Sequence, residues 1–246
     1  TITAIANQTT NEDVPTALIP FTVGDAETAL ADLTVTGASD NSSLVTNVNI
    51  VIAGSGANRT VQVTPLGNQS GIANITLTVS DGTNSTPTSF QLTVNTINDA
   101  PTVTTIGNQT INEDTQTAAL GFTIGDVETA AGSLTVTGSS DNTALIPNAN
   151  IAFGGSGASR TVQVTPLANQ SGSAVITINV SDGVNTTPRT FQVTVNAVND
   201  PATVTTISSQ TINEDTPTGA LAFTVGDTET AAASLTVTGT SDNTTL

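Results

Sequence analysis

The stretch Ile75-Thr76-Leu77-Thr78-Val79-Ser80-Asp81-Gly82 is the clearest structural signal in this chain. Branched apolar side chains alternate with polar ones and then stop at an Asp-Gly pair, which predicts a strand with one buried face that ends in a tight turn. The pattern returns 101 residues later as Ile176-Thr177-Ile178-Asn179-Val180-Ser181-Asp182-Gly183. A repeat of that length indicates a row of small domains.

The same alternation extends outward from this stretch and marks seven strands in each repeat, if a first strand lies near residues 2–5. Turn formers separate the strands at intervals of about 8 to 12 residues, which is typical of an antiparallel β-sandwich. The predicted inward positions of the first repeat are Phe21, Val23, Leu33, Val35, Ile50, Ile52, Val61, Val63, Ile75, Leu77, Val79, Phe90, Leu92 and Val94. Those of the second are Phe122, Ile124, Leu134, Val136, Val162, Val164, Ile176, Ile178, Val180, Phe191, Val193 and Val195.

Two glycine-rich segments separate predicted strands, Gly54-Ser55-Gly56 and Gly154-Gly155-Ser156-Gly157. They precede a strand rather than a helix, and the chain has no lysine, so we interpret them as hairpin loops and not as phosphate-binding loops.

Each repeat ends in a strand followed by a short proline-containing linker, Asn98-Asp99-Ala100-Pro101 or Asn199-Asp200-Pro201-Ala202. Proline has no backbone donor and a fixed φ, so it ends the strand and stiffens the linker. We therefore predict one domain over 1–101, a second over 102–202, and the N-terminal part of a third over 203–246, too short to close a core of its own. Since the chain lacks an initiator Met and any signal or membrane-inserting stretch, we expect a segment of a longer polypeptide.

Composition restricts the chemistry of this protein. The net charge is −17, with three Arg and no Lys, which excludes attraction to nucleic acid or to an anionic membrane and favours a cation as partner. No Cys or His is present, so thiolate or imidazole metal sites, Cys or Ser-His nucleophiles and disulfides are excluded. Oxygen ligands alone select hard cations, and Ca2+ is the first candidate.

Of the 20 acidic residues, all except Asp32 recur at the equivalent position of another repeat. Sixteen of them fall in four motifs: an Asn-Asp pair after the last strand, Asn11-Glu12-Asp13, Gly24-Asp25-Ala26-Glu27-Thr28 and the Ser-Asp-Gly turn. The other three, Asp40, Asp141 and Asp242, lie in Ser-Asp-Asn segments that favour turns rather than ligand sites. A glutamate adds nothing to turn chemistry, so the pairing of Asp25 with Glu27 favours a ligand role. The alternative for the Ser-Asp-Gly turn is a hairpin without metal, and that for Glu12 is a solvated surface charge.

In this order, the four motifs resemble the cadherin-like, immunoglobulin-fold tandem repeats of very large bacterial surface proteins, and more distantly the cadherins. The resemblance covers the whole chain in register. It implies an all-β fold of tandem seven-stranded antiparallel Ig-like (cadherin-like) β-sandwiches arranged as an elongated rod. It also implies an extracellular location at the bacterial cell surface.

In that family the acidic residues meet at domain junctions and bind Ca2+ there, so the resemblance implies three ligand sets. The first junction would use Glu12, Asn98, Asp99, Asp126, Glu128 and Asp182, and the second Glu113, Asn199, Asp200, Asp227 and Glu229. A third set, Asp25, Glu27 and Asp81, would face an upstream domain outside this chain. Gathered carboxylates repel one another, so we expect a rod that is stiff with calcium and loosely jointed without it.

One departure from the animal cadherins weakens these sites. Their Asp-Arg-Glu ligand motif is replaced here by Asn68-Gln69-Ser70 and Asn169-Gln170-Ser171. Amide oxygens are weaker, uncharged ligands, so we expect fewer or looser ions at each junction.

Two functions fit this sequence well, and two others are disfavoured. The favoured one is a non-enzymatic stalk or spacer of a large adhesin, in contact with neighbouring repeats and calcium. The second is a building unit of an extracellular filament or sheath, in contact with other copies. Carbohydrate binding is disfavoured because the chain has no Trp or Tyr for a sugar platform. A glycosidase role for Asp25 and Glu27 is disfavoured because the pair is copied without a surrounding pocket.

Overall fold

The computed structural model describes residues 1–245, whose ordered elements are β-strands and three short 3₁₀ turns. The chain divides into two units, Thr1–Asp99 and Ala100–Leu246. Leu246, the last residue of the predicted third repeat, lies outside the described residues. The boundaries after residues 101 and 202 stay predictions.

The first unit contains seven strands in two sheets. The strands are β1 (Gln8–Asn11), β2 (Ile19–Thr22), β3 (Thr34–Ser39), β4 (Ile50–Ser55), β5 (Asn58–Val63), β6 (Gly71–Ser80) and β7 (Ser85–Asn95). One sheet has the order β1-β7-β6-β3 and the other β2-β5-β4. A 3₁₀ turn at Asn47–Asn49 precedes β4.

Residues 102–196 of the second unit repeat this arrangement with one additional short strand. Its strands are β8 (Thr102–Val103), β9 (Gln109–Asn112), β10 (Leu120–Gly125), β11 (Thr135–Ser140), β12 (Ile151–Ser156), β13 (Ser159–Val164), β14 (Gly172–Ser181) and β15 (Thr186–Asn196). The sheets have the orders β11-β14-β15-β9 and β12-β13-β10-β8. A 3₁₀ turn at Asn148–Asn150 precedes β12. The predicted all-β fold of immunoglobulin-like sandwiches is confirmed.

Strands β6 and β7 form the longest hairpin of the first unit, and β14 and β15 that of the second. In β6 and β7 the register runs from Gly71↔Val94 to Ser80↔Ser85, with the Asp81-Gly82 turn at its tip. Gly82 has a φ of 93°, the left-handed region that glycine reaches without strain. The alternation therefore places one row of side chains of this hairpin in the core and the other row on the surface.

The core of each unit lies between its two sheets. The predicted inward positions are buried in both units, except that Val35, Ile52 and Val136 are partly buried at the margin of the core. The structure adds two adjacent pairs that the alternation did not predict, Leu44 with Val45 and Leu145 with Ile146. These pairs lie in a turn: the N–H groups of Leu44 and Val45 both donate to the carbonyl of Asn41, at 3.1 and 2.9 Å.

The first strand differs from the prediction. Ile2 forms only an isolated bridge with Val23, whereas Gln8–Asn11 forms a strand that pairs in parallel with β7. The chain thus moves from one sheet to the other between these two segments, and each sandwich contains one parallel pair instead of being purely antiparallel. The residues of β1 are polar, so hydrophobic alternation could not mark them as a strand.

Residues 203–245 form little structure. Strands β16 (Thr203–Val204) and β17 (Val225–Gly226) pair antiparallel, a 3₁₀ turn follows at Ala232–Ser234, and no side chain of 203–245 is buried. In residues 102–196, the equivalent apolar side chains belong to a core that also contains residues of β13, β14 and β15. Residues 203–245 correspond only to the segment from β8 to β11.

No helix in residues 1–245 is long and apolar enough to cross a membrane.

Candidate metal centre

The Gly-Asp-x-Glu-Thr segment forms the same turn in all three repeats. In the first, Asp25 Oδ1 accepts hydrogen bonds from the N–H groups of Glu27 at 3.1 Å and Thr28 at 2.8 Å. Asp126 and Asp227 accept the equivalent pair of bonds at 3.1 and 2.7 Å. One carboxylate oxygen of each aspartate therefore shapes the turn, and a ligand role would fall to the other oxygen and to the glutamate.

The Ser-Asp-Gly turn is built in the same way. Asp81 Oδ1 accepts the N–H groups of Thr83 at 2.7 Å and Asn84 at 2.6 Å. These hydrogen bonds, that of Asn84 first, hold the pKa of the Asp81 carboxyl below its ordinary value. Asp182 accepts the N–H groups of Val184 and Asn185, each at 2.6 Å. A hairpin turn without metal therefore explains the position of one carboxylate oxygen of Asp81 and of Asp182. The same is true of the aspartates in the Gly-Asp turn.

Asp25, Glu27 and Asp81 line one cleft of about 180 Å³ in the first unit. The N–H groups of Thr28 and Glu27 lower the pKa of Asp25 by more than the negative charge of Asp81 raises it. Both aspartates are therefore ionised at neutral pH. The structure thus brings the third predicted set to one surface, although nowhere in residues 1–245 do three acidic side chains converge closely enough to hold a metal ion as they are placed.

Glu12 and Glu113 are buried acceptors at the start of the linkers, and not solvated surface charges. Glu12 is 4% exposed and its Oε1 accepts the N–H of Ile97 at 2.5 Å. Glu113 is 5% exposed and accepts the N–H of Val198 at 2.5 Å. Each glutamate connects the end of the first parallel strand to the residues that leave the last strand, 85 positions later.

We expect Glu113→Ala to lower the free energy of unfolding of the second unit by about 1 to 3 kcal/mol, because the Val198 N–H loses its buried acceptor. Urea unfolding followed by circular dichroism measures the loss, and amide hydrogen exchange should show faster exchange at Val198. The matched control is Glu214→Ala, the same motif position in residues 203–245, where the side chain is exposed. Equal effects of the two substitutions would contradict the assigned role of Glu113.

The two linkers share one further contact. Asn98 Nδ2 donates to the carbonyl oxygen of Asp99 at 2.8 Å, and Asn199 Nδ2 donates to that of Asp200 at 2.9 Å. In the second unit the Asp200 N–H also donates to Oε2 of Glu229, at 2.9 Å. Two members of the second predicted set, one from the linker and one from the following turn, are therefore in direct contact.

Two carboxylate oxygens of the predicted ligand sets are buried without a hydrogen-bond donor from the described part of the chain, Oδ2 of Asp126 and Oδ2 of Asp200. A buried carboxylate oxygen that nothing satisfies is costly and calls for an explanation. The arginines donate to backbone carbonyls: Arg59 to Gly56, Arg160 to Gly157, and Arg189 to Val103.

The first predicted set is divided between the two units, and its assembly stays a prediction. In the second set, the Asp200 N–H donates to the Glu229 carboxylate. The other two carboxylates have partners elsewhere: Glu113 accepts the N–H of Val198, and Asp227 accepts the N–H of Thr230 in its own turn.

Asp13 and Asp114 have a role that the sequence did not reveal. Both adopt a left-handed backbone, with φ of 59° and 61°, and their Oδ1 atoms accept the N–H of Asn68 and of Asn169, each at 3.0 Å. They fix the loops Asn68-Gln69-Ser70 and Asn169-Gln170-Ser171. The one sequence signal for this left-handed turn is the aspartate at that position, since Asp tolerates the left-handed region better than most residues do.

Known proteins show only distant similarity to this chain. No family model matches the chain, and no curated protein matches it in sequence. Similar solved structures include the titin domains Z1Z2 in complex with telethonin, at 13% identity and a TM-score of 0.36, covering 80% of this chain and 96% of that one. Domains 4 and 5 of the S-layer protein SbsC are 21% identical, with a TM-score of 0.32 and coverage of 71% and 82%.

An endo-fucoidan hydrolase of glycoside hydrolase family 107 also appears, at 18% identity and a TM-score of 0.34, with 79% of this chain covered but only 28% of the hydrolase. Structural similarity at these TM-scores does not indicate a function. The strand order, register and core define the class on their own, as tandem immunoglobulin-like β-sandwich repeats.

Proposed function

We propose that this chain is a non-enzymatic structural module, a stalk or spacer segment of a large extracellular bacterial surface adhesin, and that Ca2+ stiffens its domain junctions. The observation that carries the proposal is a pair of buried carboxylate oxygens that no donor in residues 1–245 reaches, Oδ2 of Asp126 and Oδ2 of Asp200. One lies in the turn motif and the other in the linker motif. These are two of the four elements from which the ligand sets were predicted.

The donor chemistry fits calcium. Carboxylate, amide and backbone oxygens are the ligands that Ca2+ takes, and its flexible coordination tolerates a set drawn from separate loops. At the second junction Asp200, Asp227, Glu229, Asn199 and Glu113 would hold the ion. The ion would supply positive charge to a chain that carries −17 and would relieve the burial of unpaired oxygens.

Repetition supports a structural rather than an enzymatic role. The acidic turn has the same hydrogen bonds in all three repeats, so it is part of the repeated unit and not a site added to one of them. The cleft beside Asp25, about 180 Å³, is smaller than the roughly 300 to 1,000 Å³ of ordinary ligand pockets.

The test is calcium titration of the whole chain by calorimetry, together with small-angle scattering in calcium and in chelator. We expect heat of binding, and a longer and less flexible particle in calcium. Asp200→Asn combined with Glu229→Gln should weaken binding at the second junction by about tenfold or more, because it removes two charged ligands.

The control is Asp32→Asn combined with Asp242→Asn, which removes the same charge from exposed residues outside the ligand sets. It should leave the affinity nearly unchanged. No heat of binding, together with identical scattering in calcium and chelator, would refute the calcium proposal.

A further inference from the structure

We propose that the second linker is a self-cleavage site, at which the side chain of Asp200 breaks the peptide bond between Asp200 and Pro201. This is the only Asp-Pro pair in the sequence. The reaction needs no metal ion and does not depend on the calcium proposal. It would divide the chain into residues 1–200 and 201–246.

The nucleophile is a carboxylate oxygen that the fold leaves without a partner. Asp200 Oδ2 is buried, and no donor in residues 1–245 reaches it. Hydrogen bonds and solvation lower the reactivity of a carboxylate, so an oxygen without either is a better nucleophile. The backbone of the same residue is held in place, since its N–H donates to Glu229 Oε2 at 2.9 Å.

The backbone carbonyl group that would be attacked already accepts a hydrogen bond. Asn199 Nδ2 donates at 2.9 Å to the carbonyl oxygen of Asp200, which is the oxygen of the bond to be broken. That oxygen becomes negatively charged when the carbonyl carbon is attacked, and a donor already aimed at it stabilises the charge as in an oxyanion hole. Asn199 is therefore a positioning residue for this reaction.

Pro201 directs the chemistry toward cleavage. At most Asp-X bonds the following backbone nitrogen loses its hydrogen and attacks the aspartate side chain, which gives a succinimide without breaking the chain. Proline has no N–H, so this route is closed. What remains is attack by the carboxylate oxygen on the backbone carbonyl, with the basic secondary amine of proline as the leaving group.

The step balances with water as the only co-reactant. The Asp200 carboxylate oxygen forms a bond to its own backbone carbonyl carbon, and the bond from that carbon to the Pro201 nitrogen breaks. The nitrogen keeps the electron pair and takes a proton from water, which leaves hydroxide and a five-membered cyclic anhydride at Asp200. Hydroxide then opens the anhydride to two carboxyl groups. One water molecule is consumed, and nothing is oxidised or reduced.

The first linker is a natural control. It has the same asparagine donor, with Asn98 Nδ2 at 2.8 Å from the carbonyl oxygen of Asp99, but the next residue is Ala100. The sequences Asn98-Asp99-Ala100-Pro101 and Asn199-Asp200-Pro201-Ala202 differ only in the order of the last two residues. Cleavage should therefore occur in the second linker and not in the first.

The experiment incubates the purified full chain in chelator at one fixed pH and at a raised temperature below its unfolding transition. Intact-mass spectrometry follows the fragments over time. We expect complementary products 1–200 and 201–246, at a first-order rate independent of protein concentration, and at least about tenfold more cleavage after Asp200 than after Asp99.

Four variants test the assignment. Asp200→Asn and Pro201→Ala should each abolish the fragments, and Asn199→Ala should slow their formation severalfold with the fold intact by circular dichroism. Ala100→Pro should introduce cleavage after Asp99. A chain that stays intact would overturn the proposal. So would equal rates in buffer and in concentrated urea, because the folded linker would then contribute nothing beyond the dipeptide.

Discussion

Gly155→Ala is expected to destabilise the second unit by more than about 3 kcal/mol, one of the largest effects of any small substitution in this chain. Gly155 has a φ of 82°, a backbone conformation that costs energy for any residue with a Cβ. The added methyl would also collide with the carbonyl oxygen of Ser159 and lie 2.9 Å from the Cα of Arg160. Gly155 pairs with Arg160 in the β12–β13 hairpin, so backbone lies where the methyl must go.

The matched control is Gly157→Ala, at the tip of the same hairpin. Gly157 also has a positive φ, 58°, but nothing lies within 4 Å of its added Cβ. That variant should cost only the left-handed backbone penalty, about 1 kcal/mol. Urea unfolding followed by circular dichroism measures both, since the chain has no Trp for fluorescence. If the two variants were equally destabilised, steric conflict at Gly155 would be the wrong explanation.

The buried faces of the strands could be predicted from the sequence because a sheet places alternate side chains on one face. That rule needs several alternating residues, and it fails where they are missing. Leu44 and Val45 are adjacent, and both enter the core because they lie in a turn. The strand Gln8–Asn11 is held by backbone pairing with β7, which leaves no trace in the hydrophobicity of its side chains.

The candidate site was predictable in its residue types and not in its contacts. Acidic residues at repeated positions were visible, but their partners are backbone N–H groups, which every residue except proline has. Glu12 accepts the N–H of Ile97, a residue far along the chain that carries no polar side chain. Only the fold shows that Glu12 is buried, and that no donor in the described part of the chain reaches Oδ2 of Asp200.

Leu77→Ala is expected to lower the free energy of unfolding of the first unit by about 2 to 5 kcal/mol. Leu77 is fully buried near the middle of β6, opposite Thr88 of β7 and Gly37 of β3. An added Cβ on Gly37 would lie 2.5 Å from Cγ2 of Ile50 and 3.4 Å from Cδ2 of Leu77, so no spare volume adjoins this side chain. Removing its three outer carbon atoms leaves a cavity that a well-packed sandwich cannot readily close.

The control is Ile72→Ala in the same strand, where the side chain is 53% exposed, and its cost should stay within about 1 kcal/mol. Ile178 is the counterpart of Leu77 in β14 and is also fully buried. Each unit has a core made of its own residues, so Leu77→Ala should shift the calorimetric transition of the first unit and Ile178→Ala that of the second. If either substitution moved both transitions together, the units would unfold as one cooperative block, and the independence of the two cores would be refuted.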